Sequence, residues 1–242
     1  MTGFRDRMLR SSSSRGSRVI LNLDLWDPVE SRLSRAEHIL RATKEGIAGV
    51  KLNHHLLLPY GLRGLEGILE LCHEEALPLV ADLKVNDIES TNLNIVDSLF
   101  EFGFDALIVN PIVGRQEGLG GVLERAHSED NGVIFLVYMS HKGASEGYEL
   151  RLEGGKPLYR VFAERARDWG ADGVIVSAKS TERMRETRGI VGRDCLIFSP
   201  GVGAQGGDAR AGLAAGADFV LVGRAITEAP DPSKALSELL KP

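Results

Sequence analysis

The chain has 242 residues, of which 43% are hydrophobic and 26% are charged, and its formal net charge is −5. This composition is typical of a soluble globular protein with one large α/β domain or two small ones, and the acidic balance disfavours nucleic acid as a main partner. No apolar run reaches the roughly 20 residues that a membrane-spanning helix needs, and the two cysteines form no disulfide or metal pattern, so we expect a cytoplasmic protein without membrane association.

The first 18 residues, MTGFRDRMLRSSSSRGSR, are basic and rich in serine. They lack the apolar core of a secretory signal. We interpret residues 1–18 as a flexible N-terminal extension that carries no chemistry, with a short ordered helix as the alternative.

From residue 19 onward, short apolar runs rich in β-branched residues alternate with amphipathic stretches. The runs span residues 19–25, 47–52, 77–83, 105–110, 132–140, 172–177, 194–200 and 217–223. Nearly continuous apolar runs indicate strands that are covered on both faces, as in a parallel sheet. Eight strand–helix units predict a (β/α)8 TIM barrel as the single catalytic domain over residues 19–242. A doubly wound sheet could use the same units but needs no eighth.

Chemistry in such barrels lies at the carboxyl ends of the strands and in the loops that follow them. The residues at these predicted positions are Asp24, Lys51, Asp82, Lys84, Asn110, Ser140, Ser177, Pro200, Gly201, Gly223 and Arg224. Four different strands therefore bring a charged group to one rim. We predict the active site there.

The stretch ADLKVNDIEST, residues 81–91, places two charges at the end of the third strand. Asp82 and Lys84 are two residues apart and point to the same side of a strand, and Lys51 ends the neighbouring strand. A lysine among carboxylates keeps its proton, which favours a general acid over a Schiff base. An aspartate beside a substrate carboxylate would repel it until carbon dioxide leaves. The pattern predicts proton transfer or decarboxylation.

Asp87, in the same stretch, has two interpretations. Asn86 and Glu89 fit a capping box, so Asp87 could be a first-turn acid that favours the helix dipole. The alternative is that Asp87 is a member of the charged cluster. The residues alone leave both possibilities open.

The seventh and eighth units predict a phosphate site, which barrels of this kind often place in these loops. Gly223 lets the backbone approach an anion and Arg224 adds a fork of donors, although a solvated loop arginine is the alternative. Gln205 lies in a glycine-rich loop that could close over a ligand. Residues 201–206 also match the dinucleotide pattern GxGxxG, but their place in the seventh unit disfavours nicotinamide binding.

These residues resemble the orotidine 5′-monophosphate decarboxylase family from about residue 19 to the last helix. The most specific match is Asp82-x-Lys84-x-x-Asp87-Ile88-x-x-Thr91. Asp24 in LDL and Lys51 in VKL support it. The stretches MSHKGA, SPGVGAQGGD and VGRAI follow in the expected order.

The resemblance implies that Lys84 protonates C6 of the pyrimidine while Asp82 faces the departing carboxylate. Asp87 and Lys51 complete the implied catalytic group. The implied substrate-binding residues are Asp24, Ile88, Thr91, Ser140, Pro200, Gly201, Gln205, Gly223 and Arg224.

The resemblance also implies how the molecule assembles and what it needs. It implies a homodimer in which Asp87 and Thr91 complete the site across the interface. It implies the substrate orotidine 5′-monophosphate, with Gln205, Gly223 and Arg224 on its phosphate, Ser140 on its pyrimidine, and no metal or organic cofactor.

Two features depart from the family pattern. Lys142 stands where we expect proline, in a long fifth loop. Lys179 follows the sixth strand, near a position that some barrel aldolases use for a Schiff base, but we interpret it as a surface lysine opening a helix.

Two rival functions remain. Metal-dependent sugar-phosphate decarboxylases and aldolases share the Asp-x-Lys-x-x-Asp motif but need an acid where Lys51 stands, at the end of the second strand. A non-catalytic phosphate-binding barrel would be suggested by loss of Lys84 or an aspartate, and both are present.

Overall fold

Eight parallel strands form a closed barrel in the computed structural model, which describes residues 3–201 and 209–240. The strands are β1 (Val19–Asn22), β2 (Gly49–Asn53), β3 (Leu79–Val85), β4 (Ala106–Val109), β5 (Gly132–Tyr138), β6 (Gly173–Val176), β7 (Leu196–Pro200) and β8 (Phe219–Val222). Each of the eight predicted apolar runs overlaps one of these strands. The predicted (β/α)8 TIM barrel is confirmed.

Closure of the sheet depends on the pairing of its first and last strands. β1 pairs with β2, where Ile20 lies opposite Gly49, and also with β8, where Ile20 lies opposite Leu221. The strands follow one another around the barrel in chain order. The doubly wound alternative is therefore wrong, because an open sheet has no such closing pair.

One helix precedes β1, others occupy the stretches between the strands, and the last two follow β8. The helices are α1 (Phe4–Arg15), α2 (Val29–Thr43), α3 (His54–Tyr60), α4 (Glu66–Glu74), α5 (Glu89–Glu101), α6 (Gly120–Ser128), α7 (Leu158–Trp169), α8 (Thr181–Val191), α9 (Ala209–Ala214), α10 (Arg224–Thr227) and α11 (Pro232–Leu240). Among the described residues, no helix is both long enough and apolar enough to cross a membrane.

Two apolar cores follow from the alternation of side chains along the strands. One core lies between the sheet and the surrounding helices. The other fills the barrel interior, with Ile20, Val80, Ile108 and Phe198 among its members. Since the interior core holds the lower layers, only the residues near the carboxyl ends of the strands are left to form a site.

The N-terminal segment differs from its prediction. Residues Phe4–Arg15 form α1, and Phe4 and Met8 are fully buried in the interior core. The Phe4 ring lies 6.2 Å from the ring of Phe198, and Arg7 Nε lies 2.8 Å from Asp105 Oδ1. The flexible extension expected over residues 1–18 is therefore wrong for these residues. Two apolar side chains four positions apart share one helix face, and this face covers the amino-terminal end of the barrel.

Replacing Phe4 with alanine is expected to destabilise the protein by about 3–5 kcal/mol, the usual loss for a buried phenylalanine. Urea unfolding followed by circular dichroism measures the change. Leu9→Ala is the matched control, because Leu9 lies on the same helix but is 40% exposed. Equal losses for the two variants would contradict the docking of α1.

Candidate active site

A cavity of about 840 Å³ opens at the carboxyl ends of the strands. It includes nine of the predicted site residues: Asp24, Lys51, Asp82, Lys84, Ser140, Pro200, Gly201, Gly223 and Arg224. This arrangement is consistent with the predicted charged rim at this end of the barrel.

The centre of the cavity is a chain of alternating charges. Lys51 Nζ lies 2.6 Å from Asp82 Oδ2 and 3.2 Å from Asp24 Oδ1. Lys84 Nζ lies 2.6 Å from Asp82 Oδ1. Each carboxylate oxygen of Asp82 thus accepts from a different ammonium group. We call Asp24, Lys51, Asp82 and Lys84 the charge network.

Burial and pairing act against each other in this network. Burial would raise the pKa of Asp82, but the charges and hydrogen bonds of Lys51 and Lys84 outweigh it and hold that pKa below its ordinary value. Burial would likewise lower the pKa of Lys51, but the charges of Asp82 and Asp24 outweigh it and raise that pKa. Asp82 and Lys51 are therefore both ionised at neutral pH.

An irregularity in β3 sets the direction of two of these side chains. The pairing of β3 with β4 shifts register between Ala81 and Val85. Within this shift, Lys84 has a φ of 50°, in the left-handed region that non-glycine residues rarely adopt. Such strain is typical of functional positions. It turns the end of β3 so that Lys84 meets Asp82 inside the cavity.

The opposite side of the cavity holds the predicted phosphate residues. Gly223 precedes α10, and Arg224 is the exposed first residue of that helix. Pro200 ends β7, and Gly201 follows it with a φ of 96°. Gln205, the other predicted phosphate residue, lies outside the described residues.

Two serines lie where β5 and β6 end. Ser140 Oγ and Ser177 Oγ are 2.6 Å apart and share a hydrogen bond. Ser177 is 3% exposed and lines the cavity; the sequence predicts it at the rim but assigns it no role. Its position at a strand end was the available signal.

Of the predicted catalytic and substrate-binding residues that the structure describes, three lie outside this cavity. Asp87 and Ile88 precede α5, Thr91 lies in its first turn, and Ile88 is 64% exposed. The predicted capping box is wrong, because α5 begins at Glu89 and the Asp87 carboxylate accepts from the Ile88 amide at 2.7 Å. Asn92 instead accepts from the Asp87 amide at 2.9 Å.

Sequence reasoning also missed residues around the mouth and floor of the cavity. These residues are Asn22, Trp26, Asn53, His55 and Glu228. The Trp26 ring is 74% exposed and lies 4.4 Å from the ring of His55. Asn22, at the end of β1, is the most buried of these residues, with only 8% of its surface exposed.

The two lysines that depart from the family pattern lie in different places. Lys179 lines the cavity, is exposed, and precedes α8, which begins at Thr181. Lys179 is exposed, as we expected of a surface lysine. It does not open the helix, because α8 begins two residues later. Lys142 begins a short 3-10 helix that ends at Glu146.

Comparison with known proteins gives the family. A sequence model described as the orotidine 5′-phosphate decarboxylase / HUMPS family matches residues 17–239. The chain belongs to this family. The resemblance in the strand-end motifs is thereby confirmed, and α1 lies ahead of the matched region.

Relatives in this family extend over nearly the whole chain. The orotidine 5′-phosphate decarboxylase of Pyrococcus abyssi is 37% identical over 91% of this chain and 96% of its own length. The structure of the Methanocaldococcus jannaschii enzyme complexed with the inhibitor BMP is 28% identical, has a TM-score of 0.79, and is matched over 93% of this chain and 99% of that one. Leishmania donovani UMP synthase gives a TM-score of 0.86 at 26% identity, over 99% of this chain and 55% of that chain.

Proposed function

We propose that this protein decarboxylates orotidine 5′-monophosphate to UMP, a step of pyrimidine biosynthesis, without a metal or organic cofactor. The charge network carries the proposal: a carboxylate, Asp82, lies between two ammonium groups, each 2.6 Å away. Family membership and relatives named orotidine 5′-phosphate decarboxylase support it. The proposed catalytic residues are Lys84, Asp82, Lys51 and Asp87.

In the proposed step, the ionised Asp82 faces the substrate carboxylate and repels it. The bond between C6 and the carboxylate carbon breaks, and its electron pair stays on C6. Lys84 Nζ donates a proton to C6, and solvent then returns a proton to the neutral amine. Lys51 holds Asp82 ionised and in place, so the opposing charge need not be assembled during the reaction.

The rest of the substrate is proposed to lie across the cavity. Ser140 contacts the pyrimidine and Asp24 the ribose. Gly223 and Arg224, with Gln205 from outside the described residues, hold the phosphate, and Pro200 and Gly201 are further substrate-binding residues. Binding energy from this remote phosphate then assists the chemical step.

The metal-dependent rival is disfavoured by the end of β2. Lys51 Nζ lies 3.2 Å from Asp24 and 2.6 Å from Asp82, so an ammonium group already occupies the space between two carboxylates. A divalent cation placed there would be repelled by it. The non-catalytic rival is disfavoured because the whole charge network is assembled.

The assay that tests the proposal is conversion of orotidine 5′-monophosphate to UMP by the purified protein. We expect equal rates with excess EDTA and with added Mg²⁺, because both positive charges at the reacting centre are lysines. The loss of orotidine absorbance and the formation of UMP measure the rate. Turnover only with Mg²⁺, or none in either buffer, would defeat the proposal.

We also propose that two copies of the chain form a homodimer in which Asp87, Ile88 and Thr91 of one copy complete the site of the other. Two observations support it. These residues lie outside the cavity of their own chain. Ile88 exposes 64% of its surface, and Ile112, in the loop that follows β4, exposes 49%. In such a dimer these exposed isoleucines would be buried against the partner subunit.

Mixed dimers test this sharing. We expect Lys84→Ala and Asp87→Asn each to be nearly inactive alone, but their co-expression to restore about a quarter of wild-type activity, since half of randomly paired dimers carry one intact site of two. Separately purified variants assayed without subunit exchange are the control. Failure of the co-expressed pair to regain activity would refute sharing of Asp87.

The cytoplasm is the proposed compartment. Cys72 and Cys195 are free and buried, and burial raises the pKa of each thiol to about 12. Thiols of this kind are inert packing groups. They suit a reducing compartment.

A further inference from the structure

Asn22, the last residue of β1, points into the barrel. Its register partner on β2 is Lys51, whose side chain enters the cavity to reach Asp82. Partners at the same register of a parallel sheet point to the same face, and Asn22 lines the cavity. It is 8% exposed, and among the described residues its Oδ1 atom has no hydrogen-bond partner.

The surroundings of Asn22 make this amide unusual. Four of the other strands, β4, β5, β6 and β8, supply apolar side chains to the same cavity, namely Ile108, Leu136, Ile175 and Leu221. A buried amide oxygen without a partner destabilises a fold, and an aliphatic residue would pack there without that cost. Packing alone therefore does not account for asparagine at this position. A hydrogen bond to a polar group of a bound ligand would account for it.

The position of Asn22 indicates which part of a ligand it meets. On one side lies Lys51 of the charge network. On the other lies Gly223 at the phosphate end, where an added Cβ would stand 3.4 Å from the Asn22 Cβ. In a nucleoside monophosphate, the group between the reacting base and the phosphate is the ribose.

We propose that the Asn22 carboxamide hydrogen-bonds a ribose hydroxyl and makes the site select ribonucleotides over their deoxy analogues. This inference rests on the proposed function. The amide can accept a hydrogen bond from the hydroxyl through Oδ1, or donate one to it through Nδ2 after a half-turn about its terminal torsion. Asp24, two residues on, presents its carboxylate to the same cavity.

The test measures competitive inhibition of decarboxylation by UMP, 2′-deoxy-UMP and 3′-deoxy-UMP, for wild type and Asn22→Ala. In the wild type, we expect Ki to rise about tenfold when the contacted hydroxyl is removed, the size of one neutral hydrogen bond. In Asn22→Ala, that ratio should fall about tenfold while the ratio for the other analogue stays unchanged. Unchanged ratios for both analogues would overturn the proposal.

A second variant separates ligand binding from folding. Asn22→Leu removes the unpaired amide and fills its space, so we expect Tm to rise by about 2–4 °C while discrimination against the deoxy analogue is lost. A structural role for the amide predicts the reverse, a lower Tm with discrimination kept, and would overturn the proposal. Should the alanine variant fail to fold, the leucine variant supplies the same Ki ratios.

The proposed function and the proposed role of Asn22 can be disproved separately. A wild-type protein that neither turns over orotidine 5′-monophosphate nor binds UMP defeats the proposed function. An active wild-type enzyme whose sugar discrimination survives in both Asn22 variants defeats only the role of Asn22.

Discussion

Replacing Lys84 with alanine is expected to lower kcat/KM for orotidine 5′-monophosphate by at least about 10⁴-fold, the upper range for loss of a general acid. Lys84 is the proposed proton donor, and its Nζ lies 2.6 Å from Asp82. Its side chain is 37% exposed, so its removal opens no buried hole. Steady-state kinetics measure the loss, and circular dichroism and Tm check that the fold is intact.

The control for this variant is another lysine with no place in the cavity. Lys234 is exposed on α11, and Lys234→Ala should keep wild-type kinetics. Binding of UMP to Lys84→Ala, measured by calorimetry, should persist, because the phosphate residues are untouched. A Lys84→Ala enzyme that keeps a tenth of its activity would rule out Lys84 as the proton donor.

Replacing Asp82 with asparagine should damage both activity and stability. We expect kcat to fall about 10²–10⁴-fold, because the variant loses the charge that opposes the substrate carboxylate. We expect the free energy of unfolding to fall by about 3 kcal/mol. The reason is that Lys51, whose side chain is only 3% exposed, keeps only its longer contact, the one to Asp24. Asp97→Asn is the matched control, since Asp97 pairs with Arg125 at the surface and should cost under about 1 kcal/mol.

The stability difference between wild type and Asp82→Asn should depend on pH in one direction. Asp82 has a lower pKa in the folded chain than its ordinary value of 3.8, so its contribution is complete above that value and declines as pH falls below it. Chemical denaturation should give a constant difference from about pH 5 to pH 9 and a smaller one below about pH 4. A difference that grows toward acid would contradict the ionised Asp82.

On the alkaline side, Lys51 sets the limit. Its pKa is raised above the ordinary value of 10.5, so its contribution is complete below that value and declines only as pH rises above it. The acidic limit set by Asp82 and the alkaline limit set by Lys51 therefore both lie outside the pH range in which the enzyme would be assayed.

The barrel and its rim could be predicted because they follow from local patterns. Continuous apolar runs mark buried parallel strands, and the residues that end them meet at one edge. The contact between Lys51 and Asp82 follows from adjacent strands. The left-handed backbone of Lys84 does not, since it depends on a register shift against β4 that no spacing within β3 reveals.

Other features depend on contacts distant in sequence. In α1, three apolar residues (Phe4, Met8 and Leu9) among serines and arginines indicate little until the open end of the barrel is present to receive two of them. The start of α5 depends on Asn92, which bonds backward to Asp87, rather than on the Asn86 that precedes the helix. Asn22 looks like an ordinary residue of an apolar run until its amide oxygen is seen to have no hydrogen-bond partner within residues 3–201 and 209–240.

The docking of α1 links two distant positions in the evolution of this family. A Cβ atom on Gly132, the first residue of β5, would stand 2.3 Å from the Phe4 ring, so any larger residue there would displace the helix. A glycine at the start of the fifth strand and an aromatic residue ahead of the first strand should therefore be inherited together. Relatives with a side chain at the former position should close the base of their barrels by other means.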